Sequence, residues 1–138
     1  MKVYVAGRAK TRVGDINKIQ EKLKSMGHSI TYDWAIADVN VKRPYRDPTN
    51  REHNQSAIPK MLKAAAEADI FILLDEPGMR GAYIELGAFL ADAIKRPDHH
   101  RVYIVGPDSY EREHIFESPK YVKFFDSING VYGDLKTK

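Results

Sequence analysis

The run Ile70–Leu74, IFILL, is apolar at every position and is bracketed by Asp69 and Asp75. A strand with one wet face alternates apolar and polar side chains. An unbroken apolar strand has to be covered on both faces, which places it inside a parallel sheet wrapped by helices. With its bracketing acids the expected strand spans Asp69 to Asp75. Three further segments have strand character: Lys2 to Ala6 (KVYVA), Ser29 to Trp34 (SITYDW) and Arg101 to Val105 (RVYIV). Each is short, rich in β-branched or aromatic residues, and closes near a Gly, Pro or Asp signal.

Helical patterns lie between these runs. Val13, Ile16, Ile19, Leu23 and Met26 recur at helical spacing, and Gly27 follows as a stop. Ile58, Met61, Leu62, Ala65 and Ala66 repeat the pattern. A third helix is expected over Ala82 to Lys95, with Leu86, Phe89, Leu90, Ala93 and Ile94 as its apolar stripe. Strand and helix alternate along one chain of 138 residues, which is the length of one ordinary domain. Residues 1–138 are therefore expected to form a single α/β domain with a parallel sheet and right-handed crossovers. The stretch from Ala35 to Gln55 is polar and has no period, and it reads as a long functional loop after the second strand. From Tyr121 onward the chain reads as a fifth strand and a short helix.

Composition narrows the partners. There is no cysteine, so disulfides and thiolate metal sites are excluded. No apolar run reaches the roughly 20 residues needed to span a bilayer, and no membrane partner is expected. A cytoplasmic protein is the expectation. Net charge is +3, with cations grouped at Arg8, Lys10 and Arg12 and at Lys42, Arg43 and Arg46. Such groups suit a small phosphorylated ligand. No nucleic-acid motif or long basic stripe is present, so no nucleic acid polymer is expected.

The segment Ala68 to Ala91, ADIFILLDEPGMRGAYIELGAFLA, carries the chemistry. A strand ends at Asp75, Glu76-Pro77-Gly78 turns, and Gly81 precedes a helix with Glu85 near its start. At 100° per residue, Glu85 sits at the edge of the apolar stripe. It is thus partly desolvated at the carboxyl edge of the sheet, where open α/β sheets bind ligands. The helix N-terminus favours its ionised form. An ionised, partly desolvated carboxylate there is a candidate nucleophile. A Glu in the first turns of a helix is also common for purely structural reasons.

The same segment resembles the signature of the nucleoside 2-deoxyribosyltransferase superfamily. The shared features are an Ala-Asp pair before a buried strand (Ala68, Asp69), a glycine four residues before a glutamate (Gly81, Glu85), and then Leu86-Gly87. The first strand, Val3-Tyr4-Val5-Ala6-Gly7, resembles the family's x-Y-x-x-G strand. The resemblance implies a flavodoxin-like (Rossmann-like) parallel sheet of about five strands with helices on both faces. It also implies Glu85 as the nucleophile at C1′ of a nucleoside or nucleotide and Tyr4 as the residue orienting it. The family cleaves the bond between base and sugar through a transition state resembling an oxocarbenium ion, and either water or a second base takes the sugar. No cofactor is implied. Family members complete their sites from a neighbouring subunit, so a homo-oligomer is implied, and the aromatic tail (Tyr121, Phe124, Phe125, Tyr132) offers contacts.

Around that pair the candidate substrate-binding residues are Gly7, Arg8, Lys10, Asp33, Trp34, Asp75, Arg80 and Gly81. Arg8, Lys10 and Arg80 are placed to meet a 5′-phosphate. Trp34 can stack on a base or pack in the core. Asp33, Asp38 or Asp75 can protonate the leaving base, and each can equally cap a turn. The chain departs from the family at Met61, Met79 and Arg80, where polar substrate-binding residues are found. The missing polar positions at Met61 and Met79 support an alternative, a non-catalytic nucleotide-binding or sensor module. A flavin- or nucleotide-binding regulatory fold is a third reading. His99 and His100 are adjacent and His114 lies further on. Adjacent residues rarely face one metal, and no zinc site is expected.

Overall fold

A computed structural model describes residues 1–34, 48–77, 79–107 and 122–137. Strand β1 (Lys2–Ala6) leads to helix α1 (Ala9–Ser25) and the short strand β2 (Ser29–Ile30). After a single 3₁₀ turn at Pro48–Asn50 come α2 (Arg51–Glu67), β3 (Ile70–Leu74), α3 (Gly81–Ala93) and β4 (Arg101–Val105). Strand β5 (Val122–Phe125) and helix α4 (Ile128–Lys136) close the chain. The strands form one sheet in the order β2-β1-β3-β4-β5, and every pairing is parallel. This is the flavodoxin-like α/β order, whose switch point lies between β1 and β3.

The sheet is dry because its central strands are apolar on both faces. All five residues of β3 are buried, and so are Val3 to Ala6 of β1 and Val102 to Val105 of β4. On one face Tyr4 stacks on Phe71 at 5.6 Å between ring centroids, and Phe71 meets Phe89 of α3 at 5.6 Å. Helices α2 and α3 pack together over that face. On the other face lie α1 and α4, joined where Lys22 Nζ stands 6.0 Å above the Tyr132 ring.

Helix α1 ends on Gly27, at φ 91, the one described position with positive φ. The Gly27 N–H donates to the Lys24 carbonyl and the His28 N–H to that of Leu23. These two bonds make a Schellman stop, which needs a residue tolerant of left-handed backbone.

Three expectations about the elements are corrected. The second strand stops at Ile30 instead of reaching Trp34. Its ladder continues as far as Thr31 N to Val3 O, but the next carbonyl, that of Val5, accepts from the Trp34 indole at 2.8 Å. A side chain has taken the bond that a longer strand would need. The expected loop Ala35 to Gln55 is helical from Arg51, and residues 35–47 lie outside the described ones. The apolar stripe of α2 is also shifted, whereas that of α3 holds at Leu86, Phe89, Leu90 and Ala93 and fails only at Ile94. Ile58 is 49% exposed while Ala57, Ala64 and Ala65 are buried, and Ile94, just past α3, is 71% exposed. Small alanines on the buried face of α2 permit close approach of neighbouring elements, and Ile58 is left at the surface.

Candidate active site

Two residues 81 positions apart meet at the core of the site. Tyr4, buried in β1, donates its hydroxyl proton to Glu85 Oε2 in the second turn of α3. The tyrosine has little freedom, because Phe71 stacks on its ring and Phe89 backs Phe71. Helix α3 is aimed by Ala82, Leu86, Phe89, Leu90 and Ala93, all buried. That face leaves Glu85 at its margin, half-buried.

The electrostatics of Glu85 differ from the sequence expectation. Burial pushes its carboxyl up to about 8. Desolvation outweighs the helix N-terminus, and the resting carboxyl holds its proton at neutral pH. No described cation offsets this charge.

A second carboxylate stands at the end of β3. Asp75 is 5% exposed. Its Oδ1 accepts the Tyr83 hydroxyl proton at 2.9 Å, and its backbone N–H donates to the Val105 carbonyl at 2.8 Å. Arg80 is exposed at the position before α3, where its carbonyl accepts from the amides of Tyr83 and Ile84. Gly81 opens the helix, and a Cβ placed there would meet nothing within 4 Å. Gly7 and exposed Arg8 follow β1 at the same edge of the sheet. Lys10 lies in α1, and its side chain is outside the described set, as are Asp38, the basic group at Lys42, Arg43 and Arg46, and His114.

Asp33 and Trp34 are tied into the fold. Gln20 is fully buried and, with its amide nitrogen facing Asp33, donates to Oδ1 at 3.0 Å and to Oδ2 at 3.3 Å. Trp34 is 3% exposed and is anchored by its bond to Val5, so it forms a wall and not an open platform. Asp69 sits at the far edge of the sheet. It accepts the Lys2 amide at 2.9 Å, and its backbone bonds Lys2 and Arg101. Its place in the Ala-Asp pair is architectural.

His99 and His100 point apart. His99 is exposed, while His100 is buried with Nδ1 2.6 Å from the Arg96 carbonyl and its ring edge on Phe89. Among the described residues, no three His, Asp or Glu side chains stand close enough to hold a metal ion. No described helix is long and apolar enough to cross a membrane.

Sequence reasoning missed Tyr83 and Gln20. Tyr83 lies two residues before Glu85, on the opposite side of the helix, so periodicity assigns it to the surface. The signal was available in the geometry: the turn after β3 brings the first turn of α3 back over the strand end. Gln20 sits inside the apolar stripe of α1, between Ile19 and Leu23, where a polar residue calls for a partner.

No protein-family profile and no curated protein matches the chain. Among solved structures it matches the CMP N-glycosidase BcmB of Clostridium botulinum. The TM-score is 0.63 at 12% sequence identity, over 99% of this chain and 98% of that one. The two chains share a fold from end to end.

Proposed function

We propose that this chain cleaves the N-glycosidic bond of a nucleoside 5′-monophosphate by hydrolysis. The observation that carries this reading is the contact of the Tyr4 hydroxyl with the Glu85 carboxyl. Similarity of fold to a CMP N-glycosidase supports it. In this reading the ionised form of Glu85 attacks C1′, a C1′–O bond forms as the C1′–N bond breaks, and Tyr4 holds the carboxylate in line. Water then releases the sugar. Over the whole cycle one water supplies the proton that leaves with the base and the hydroxyl left on C1′. Arg8, Lys10 and Arg80 take the phosphate, and Gly7 and Gly81 let it approach the backbone. Asp33, Trp34 and Asp75 bound the space for base and sugar. The protein acts in the cytoplasm as a homo-oligomer, with exposed Phe124 on the edge strand as a contact.

A second reading is a nucleotide-binding module without turnover, favoured by one observation: a carboxyl pushed up to about 8 is a poor nucleophile at neutral pH. Chromatography separates the two. The protein and Glu85→Ala are incubated with nucleosides and 5′-monophosphates, and free base is quantified. Base release that depends on Glu85 is expected. Adding a second base then distinguishes transfer from hydrolysis. Binding without release by folded wild-type protein would leave the module.

A further inference from the structure

We propose that Tyr83 is a positioning residue that fixes Asp75 as a hydrogen-bond acceptor for a neutral donor on the substrate, either a sugar hydroxyl or an exocyclic amine of the base. The inference deepens the glycosidase reading and rests on it.

A carboxylate that is 5% exposed would ordinarily be paired with a cation or fed by several donors. Asp75 has neither. One side-chain donor reaches it, the Tyr83 hydroxyl on Oδ1 at 2.9 Å. Its other oxygen has no hydrogen-bond partner among the described residues. The fully buried side-chain atoms left without partners are Asn17 Oδ1, His100 Nε2 and Arg101 Nη1. Asp75 Oδ2 is not one of them, so it is not sealed inside the protein. Asp75 is an acceptor held in place through Oδ1, with Oδ2 unengaged by the described residues.

Placement makes this more than a local tie. Tyr83 and Glu85 occupy neighbouring turns of one helix, about 200° apart around its axis. Glu85 reaches inward to Tyr4 on β1 while Tyr83 reaches back to the end of β3. The Tyr83–Asp75 bond spans the turn between strand and helix. It therefore sets both the direction of Oδ2 and the distance of the Glu85 turn from the strand edge. A donor on the substrate that meets Oδ2 is thereby placed relative to the attacking carboxylate, which is the role of a specificity contact built on rigid elements.

The test is steady-state base release by the full chain with CMP, its 2′-deoxy counterpart and UMP. Tyr83→Phe is expected to raise KM for CMP roughly tenfold with kcat within about twofold, as expected for one lost positioning bond. Asp75→Asn puts a donor where Oδ2 was. It is expected to raise KM by roughly tenfold or more and to erase one discrimination. Loss of the preference between CMP and its deoxy counterpart assigns the donor to the sugar, and loss of that between CMP and UMP assigns it to the base amine. Unchanged KM in both variants overturns the proposal, as does a fall in kcat alone. If Asp75→Asn does not fold, Tyr83→Phe alone decides. If wild-type protein releases no base, the glycosidase reading fails on its own. The contact is then read by the melting shift that CMP induces, which Tyr83→Phe should largely remove. An equal shift in the variant, or none in wild type, overturns it.

Discussion

The sheet carries a tyrosine–carboxylate pair on each face, and the two pairs are built to opposite ends. On the α1–α4 face, Tyr103 of β4 donates to Asp134 Oδ2 at 2.6 Å. Lys123 of β5 donates to the other oxygen at 2.9 Å. On the α2–α3 face, Tyr4 donates to Glu85 and no described cation answers the charge. Both tyrosines are fully buried. In the first pair the charge is met locally, and burial together with Asp134 pushes the Tyr103 hydroxyl up to about 12, so it stays a donor. In the second pair desolvation is uncompensated, and it is the carboxyl that moves, up to about 8. A neutralised carboxylate ties α4 to the sheet. An uncompensated one is a cost of the kind that gathers where chemistry is done.

The sharpest way to break this contrast is to remove each acid in turn. Glu85→Gln is expected to lower base release roughly 1,000-fold or more, with the fold intact. Tyr4→Phe is expected to lower it roughly 100-fold, the scale of one lost donor on a reacting group. Chromatographic base release checks both, with circular dichroism to confirm folding. Full activity in Glu85→Gln would end the distinction between the pairs.

The next largest effect is on stability against pH. The folded-state pKa of Glu85 is raised from 4.5 to about 8. Between those values the folded protein holds a proton that the unfolded chain has released, so stability falls as pH rises through that window. The loss is on the order of 1.4 kcal/mol for each pH unit crossed, reduced by local relaxation. Wild type is expected to melt lower at about pH 8.5 than at about pH 5.5, and Glu85→Gln should lose much of that slope. Base release should rise with pH toward about 8, as the nucleophilic form accumulates. A slope that is the same in wild type and Glu85→Gln would assign the pH dependence to other groups.

The structural pair should respond in the reverse sense. Asp134→Asn keeps an acceptor but removes the negative charge that Lys123 meets there. Because the lysine side chain is 41% exposed, water recovers part of the loss. A destabilisation of about 1 kcal/mol is expected, with base release unchanged. Denaturant melts and the same chromatographic assay decide this. A fall in base release at unchanged stability would place α4 in the site.

How far the sequence revealed this contrast depends on the range of the forces involved. The parallel sheet was legible because IFILL has one solution, burial on both faces, and the observed order β2-β1-β3-β4-β5 fits it. Gly27 marked the end of α1 through a backbone angle that other residues avoid. Glu85 and Tyr4 were legible as a pair only through resemblance, since composition gave no reason to join positions 81 residues apart. What stayed hidden was set by competition between neighbours. The Trp34 indole displaced a backbone donor and shortened β2. On α2 the alanines, not Ile58, are the buried residues. The protonation of Glu85 was hidden for the same reason. The helix N-terminus is visible in sequence, but the desolvation that outweighs it arises only once the sheet and helix are packed.

The smallest effect tests what occupies the mouth. A Cβ built on Gly81 meets nothing within 4 Å, and the residue has ordinary negative-φ backbone. No atom of the described protein demands glycine there. Gly81→Ala removes conformations from the unfolded chain and is expected to stabilise the fold by about 0.5 kcal/mol. The empty space is then informative. If a phosphate sits over the first turn of α3, the added methyl stands where the ligand approaches, and KM rises while the melting temperature does not fall. If KM is unchanged, the phosphate is held elsewhere and Arg8 becomes its anchor. Stability and affinity moving in opposite directions would mark the glycine as kept for a ligand.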